Sequence, residues 1–296
     1  MRIVCISDPD DPRVSAYLAV QDPDLVRARG LFVAEGRLVV ERLIGEGRYA
    51  IQSILLSEAA FSALEPTLSA FDTHVLMNVP IYVCQSGDLR GLTGYDVHRG
   101  CLALAARPRP IALDELLSPA RTVVVLDGVT NADNVGGVFR NAAAFGVDAV
   151  LLGPTSCDPL YRKAIRTSMA ATLRVPFARL TDRAGDWPAA LAGLRARGFT
   201  LVALTPREPS RDLEEFAASE RPARVALLLG GEGAGLSAES EAMADHRVRI
   251  PIRRDVDSLN LAVAAGIALH RFVSWRERPV GPVGPVEHVG RDRSAG

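Results

Sequence analysis

Two polar loops near the end of the chain have the residue types that build small-molecule sites. The first, Gly230-Gly231-Glu232-Gly233-Ala234-Gly235-Leu236, follows a strand expected at Arg224–Gly230; the second, which bears serine, follows one expected at Val248–Ile252. Each then runs into a helix, so glycine admits close backbone approach and a helix N-terminus offers unpaired N–H donors. A dinucleotide-binding reading fails on position, because that fingerprint opens a doubly wound sheet and needs further βα units after it. Only about sixty residues follow the glycine loop here. A glycine cluster alone is weak support for any ligand. Glu232 adds weight, since a carboxylate at a loop apex has no packing reason to be there; it binds a helix N-terminus or orients Arg140.

Three stretches carry a family resemblance: NADNVGGVFRNAAAFG (Asn131–Gly146), LLLGGEGAGLS (Leu227–Ser237) and IPIRRDVDSLNLAVAAGIAL (Ile250–Leu269). In this order they resemble the three motifs of the SpoU/TrmH family of RNA ribose 2′-O-methyltransferases, of the SPOUT superfamily. The likeness is strong over Ala120–Arg276 and weaker through LFVAEGRLVVERL (Leu31–Leu43). It implies an α/β fold: a trefoil-knotted, mostly parallel methyltransferase domain preceded by a small α/β RNA-binding domain resembling a ribosomal protein. It also implies S-adenosylmethionine as cofactor, RNA (ribosomal RNA foremost) as substrate, and a homodimer. By motif position the catalytic candidates are Asn134, Arg140, Glu232, Ser258 and Asn260. The cofactor-binding candidates are Leu229, Gly230, Gly231, Ile250, Ile252, Ser258, Leu259 and Asn260. The family usually has a polar residue before the glutamate, where this chain has Gly231. From the residues alone, Asn134 has the alternative of capping its helix, and Ser258 and Asn260 that of capping a last helix expected at Ser258–Arg276. Arg140 cannot serve as a base, because guanidinium stays protonated in proteins. It suits gripping the phosphate beside the target ribose and stabilising a developing alkoxide. A transfer-RNA enzyme, or a catalytically silent RNA-binding or ribosome-assembly protein, are the alternatives; retention of all five polar residues opposes the silent one.

The elements that must position these residues follow from the rest of the 296 residues. The length allows two domains: residues 1–106 as a substrate (RNA)-binding module, 107–119 as a linker around Arg107-Pro108-Arg109-Pro110, 120–278 as the methyltransferase domain, and 279–296 as a disordered tail rich in proline and glycine. Net charge is −1, with 34 basic and 35 acidic residues, which excludes a generic coating-type nucleic-acid binder but not a local basic face. The start, MRIVCISDPDDP, shows no basic region followed by a long apolar segment, and a cytoplasmic soluble protein without membrane contact is expected. Cys5, Cys84, Cys101 and Cys157, with five histidines, show no metal-ligand spacing, so no metal is expected.

In the first module, strands are expected at Ile51–Leu56, Ile81–Cys84 and Cys101–Ala105. A helix presents Val39, Val40, Leu43 and Ile44 on one face. Arg27, Arg29, Arg37 and Arg42 are either phosphate contacts or a solvated face. His98, at the end of the loop Gly91–Val97, lacks an acid partner at useful spacing and is expected to pack or turn rather than catalyse. In the second domain, strands are expected at Thr122–Leu126, Asp148–Gly153 and Phe199–Thr205, with a helix at Trp187–Gly198. This alternation predicts a mostly parallel sheet covered on both faces. Asp158-Pro159 reads as a helix start; the helix behind it carries Arg162, Lys163 and Arg166, a stripe that is RNA-facing by resemblance or simply solvated.

Overall fold

Short apolar runs closed by turns become the strands of two sheets. The computed structural model describes residues 2–8, 10–17, 23–71, 76, 78–85, 89, 93, 97–220, 222–253 and 255–272. The tail expected at 279–296, the side chain of His98 and most of the loop at 91–96 lie outside that description. The first half forms β1 (Arg2–Cys5), β2 (Leu31–Glu35), α1 (Arg37–Glu46), β3 (Ile51–Ser57), α2 (Glu58–Phe71), β4 (Pro80–Cys84) and β5 (Cys101–Ala106). Its sheet runs β1-β4-β3-β5-β2; β1, β4 and β3 are parallel, while β5 is antiparallel to both β3 and β2.

After a short helix, α3 (Leu113–Leu117), the second half alternates β6 (Thr122–Asp127), α4 (Ala132–Phe145), β7 (Ala149–Leu152), α5 (Arg162–Thr167), β8 (Phe177–Arg179), α6 (Trp187–Ala196), β9 (Thr200–Leu204), β10 (Arg211–Asp212), α7 (Leu213–Ser219), β11 (Val225–Gly230), α8 (Ala238–Met243), β12 (His246–Arg249) and α9 (Leu261–Phe272). The seven strands order as β10-β12-β9-β11-β6-β7-β8, and every neighbouring pair is parallel. The continuous apolar runs of β6 and β11 are what a strand covered on both faces requires. Alternate residues serve opposite faces. Val124, Leu126, Leu227 and Leu229 join Val138 and Phe139 of α4 and Leu269 of α9. Val123, Val125, Ala226 and Leu228 join Trp187, Leu191 and Leu194 of α6.

Three boundaries differ from expectation by three residues or more, each for a local reason. The strand expected at Val248–Ile252 is β12, ending at Arg249, and Ile250–Ile252 continues without ladder pairing. The last helix begins at Leu261, because Asn260 accepts its free N–H groups and Ser258 stays outside. Asp158 does not start a helix: its Oδ1 closes a local turn on Leu160 N–H and its Oδ2 pairs with Arg107 at 2.6 Å, so α5 starts only at Arg162.

The two sheets share buried residues. Leu160, Ile165, Ala170 and Leu173 pack in one cluster with Phe32, Val40, Ile44 and Ile54. Polar contacts frame that seam: Arg42 donates to the Met169 carbonyl, Tyr49 Oη to the Leu173 carbonyl at 2.9 Å, and Glu35 faces Arg162 and Arg166 at 3.6 and 3.4 Å. Arg42, Arg162 and Arg166 thus tie the two halves together, with 45% of the Arg166 side chain still exposed. Lys163 instead pairs with Asp133 at 2.7 Å.

Candidate active site

The helix carrying Asn134 and Arg140 is fixed by close approach on two sides. A Cβ on Gly136 would lie 2.7 Å from the Ala164 carbonyl of α5, and one on Gly137 would lie 2.5 Å from Ala262 Cβ of α9. Glycine is therefore what lets α4 sit between its neighbours. Asn141 Nδ2, donating to the Ala262 carbonyl at 2.6 Å, adds a polar tie between α4 and α9. At the start of α4 it is Asn131, not Asn134, that caps: its side chain accepts Asp133 N–H at 2.9 Å. Asn134 is buried one turn in, at 3% exposure. Next to it, a hydrogen bond from Lys163 holds the Asp133 carboxyl below the usual carboxylate range, and Thr167 Oγ1 donates to the same carboxylate at 3.0 Å.

Asn260 joins the three motifs. Its Oδ1 accepts from Ala262 N–H at 3.0 Å and Val263 N–H at 3.3 Å, capping α9. That fixes which end of the amide is Nδ2, which donates to Asn134 Oδ1 at 3.0 Å and to Glu232 Oε1 at 3.4 Å. Since the cap orients Asn260 and Asn260 orients Asn134, the Asn134 Nδ2 donor is left aimed elsewhere. Among the described residues it finds no acceptor, and it is buried. An orphaned buried donor is costly to leave unmade. A ligand oxygen is the partner such a group selects.

The glycine loop brings Glu232 to this point at the C-terminal ends of the parallel strands, where open α/β sheets bind ligands. Gly230, in register with Asp127, ends β11; a Cβ at Gly231 would meet the Gly128 carbonyl at 2.6 Å. A side chain at position 231 would therefore require the Gly128 backbone or the loop to shift. Leu229 is buried beneath the loop, while Gly230, Gly231, Ile250, Ile252 and Leu259 are partly exposed. The structure therefore brings Asn134, Glu232 and Asn260 into contact. It does not bring Ser258 or Arg140 into hydrogen-bond contact with them. Both are exposed, and the Arg140 side chain makes no hydrogen bond or ion pair among the described residues. Six residues past Asn134, it leaves α4 on another side of the helix. The reading from sequence missed the inner support of the loop, Asp127 with Ser237 and Ser240. An acid ending an apolar strand, and serines spaced as a helix cap at Ser237, were the available signals.

Among the described residues no group of three or more His, Cys, Asp or Glu side chains is placed to hold a metal ion, and no helix is long and apolar enough to cross a membrane. The sequence model of the SpoU rRNA Methylase family matches residues 121–270, a span that contains every site residue above. A protein of Mycobacterium tuberculosis, named as an uncharacterized tRNA/rRNA methyltransferase, is 38% identical over 269 residues, covering 90% of each chain. The 23S rRNA (adenosine(1067)-2′-O)-methyltransferase of Streptomyces azureus is 27% identical over 269 residues, covering 90% of this chain and 95% of its own. In fold, the chain is similar to the AdoMet-bound rRNA methyltransferase from Sinorhizobium meliloti, with a TM-score of 0.73 at 24% identity over 91% of this chain and 97% of the other. With the family's motifs in order, their polar residues in contact and half the chain matched directly, this protein belongs to the SpoU rRNA methylase family.

Proposed function

We propose that the protein is an S-adenosylmethionine-dependent methyltransferase that modifies a ribose 2′-hydroxyl of ribosomal RNA. The observation that carries this reading is the meeting of Asn134, Glu232 and Asn260, one from each motif, beside a buried amide donor that lacks an acceptor. The residues fit the cofactor: Leu229, Gly230, Gly231, Ile250, Ile252 and Leu259 would hold it through backbone groups and apolar contact, with Ser258, Asn260 and the free Asn134 amide meeting its polar atoms. When bound, S-adenosylmethionine supplies an electrophilic methyl group on a sulfonium.

The chain's own residues do the rest. Arg140, exposed and unpartnered among the described residues, grips the phosphate beside the target ribose and stabilises the alkoxide as it forms. The proton leaves to phosphate or water, because guanidinium does not accept it. Glu232 acts through Asn260, holding its amide so that Asn134 keeps one orientation. No metal is needed for these steps.

The same reading assigns residues 1–106 to RNA recognition as a ribosomal-protein-like module, 107–119 to the connection, and 120–278 to a trefoil-knotted catalytic domain in a cytoplasmic enzyme. The knot is supported by β12, the last strand in sequence, lying inside the sheet between β9 and β10. A homodimer is part of the reading. Ala265, Ala268 and Leu269 of α9 are buried in the chain's own core, and Leu261 packs against it. Val263 and Ile267, 52% and 37% exposed on α9, are the apolar residues left for a second copy.

The test is transfer of a labelled methyl group from S-adenosylmethionine to ribosomal RNA, followed by alkaline hydrolysis. A 2′-O-methyl blocks cleavage of the adjacent phosphodiester, so label in alkali-resistant dinucleotides is expected. Label confined to mononucleotides would place the methyl on a base and end the ribose assignment.

A further inference from the structure

We infer that Asp127 is a positioning residue that sets the glycine loop carrying Glu232, and through it the pocket assigned above to S-adenosylmethionine; the effect on cofactor binding rests on that reading, the control of the loop does not. Asp127 ends β6 and is buried, at 7% exposure. Its backbone carbonyl accepts Gly231 N–H at 3.1 Å, where the loop begins. Its carboxylate accepts where the loop ends: Oδ2 takes Ser237 N–H at 2.8 Å, Ser237 Oγ at 2.7 Å and Ser240 Oγ at 2.7 Å. Trp187 Nε1 donates to Ser240 Oγ at 2.9 Å, so that hydroxyl accepts from the indole and directs its own proton to the carboxylate. One residue thus grips both ends of the seven-residue span from Gly231 to Ser237.

Between the two ends the loop closes on itself through the Gly231–Gly235 bridge, with Gly235 N–H donating to the Gly231 carbonyl at 3.0 Å. On the outer flank Arg207 donates to the Ala234 carbonyl at 2.6 Å and pairs with Glu241 at 3.2 Å. The two charged groups divide the work: the carboxylate takes the loop's donors and the guanidinium its carbonyls. They are not equal. The Arg207 side chain is 52% exposed, so water replaces much of what it gives. Three donors converging on one buried oxygen have no such substitute, and hydrogen bonds to an ionised acceptor are the strong ones. An acid at the C-terminal end of a central strand therefore serves here to hold the loop. The reach of Glu232 to Asn260 depends on that hold.

Hydrogen exchange over residues 231–237 without added ligand, paired with S-adenosylmethionine titration, tests this. Asp127→Asn keeps the shape and one acceptor oxygen but loses the charge. Ser237→Ala removes a single hydroxyl, leaves the carboxylate in place, and serves if the first variant folds poorly. Loop amides should exchange about tenfold faster in Asp127→Asn and less markedly faster in Ser237→Ala, the worth of one charge-assisted hydrogen bond. Exchange in β11 should stay unchanged. S-adenosylmethionine affinity should fall in the same order, and Arg207→Gln should shift both readouts less than Asp127→Asn. Loop exchange within about twofold of wild type in both Asp127→Asn and Ser237→Ala overturns the inference. Faster exchange with unchanged affinity overturns its functional half. Because exchange is read without cofactor, its result stands whether or not the wild-type chain binds S-adenosylmethionine.

Discussion

Asn260 has two separable roles, and substitution should pull them apart. Its oxygen caps α9 through Ala262 and Val263 N–H, while its nitrogen holds Asn134 and Glu232. Asn260→Ala loses both. The lost cap costs about 1 kcal/mol, and the Asn134 oxygen left without its donor costs about 1–3 kcal/mol more. For a chain of this size that lowers the melting temperature by roughly 4–15 °C. Asn260→Asp keeps the cap. A carboxylate at a helix N-terminus gains about 0.3–1 kcal/mol, and repulsion from the exposed Glu232 takes back about 1 kcal/mol. The aspartate variant should therefore melt between wild type and the alanine variant. Activity should not follow that order. With the amide donor gone in both, single-turnover methylation of ribosomal RNA should drop by about tenfold or more in each, the worth of a lost charge-assisted hydrogen bond. Scanning calorimetry with single-turnover kinetics reads both quantities. Full turnover in Asn260→Asp would leave Asn260 as a helix cap and nothing else.

Arg140→Ala and Arg140→Lys should each reduce turnover by about a hundredfold, because lysine keeps the charge but loses the planar fork; S-adenosylmethionine affinity should hold and melting should not move, as expected for an exposed residue. An active lysine variant would remove the bidentate contact, and an active alanine variant the catalytic role. Deleting residues 1–105 uncovers Leu160, Ile165 and Leu173, each 0% exposed. At about 1.5–3 kcal/mol per side chain that approaches the whole stability of a domain. The truncated chain should melt far lower or aggregate, and a truncation with wild-type melting would show that the shared cluster contributes little. Light scattering should give a dimer that Ile267→Glu dissociates; an unchanged dimer would move the interface away from α9.

How much of this was legible from sequence depends on how local each cause is. The parallel sheet was readable from the uninterrupted apolar runs Val123–Leu126 and Val225–Leu229, since burial on both faces writes itself into consecutive residues. The contact of Asn134, Glu232 and Asn260 was readable because motif order marks them, and Glu232 because it is out of place in a glycine turn. Asn131 and Asn134 could not be told apart as caps by composition, as either suits the position; only the start of α4 decides. Asp158-Pro159 had a good helix-start pattern, yet Arg107, 51 residues earlier, captures the carboxylate. The seam between the halves was the least legible. Arg42 and Met169 lie 127 residues apart, as partners no periodicity can pair. Glu35, Arg162 and Arg166 each pass for ordinary solvated charges until the fold sets them together.

Whether this chain methylates a ribose of ribosomal RNA is read by mapping every 2′-O-methyl in total RNA from cells with and without the protein. A site in ribosomal RNA should lose its methyl group without the protein, and wild-type protein should restore it while Arg140→Ala does not. An unchanged ribosomal RNA pattern, with the loss in transfer RNA or in no RNA at all, would contradict ribose methylation of ribosomal RNA.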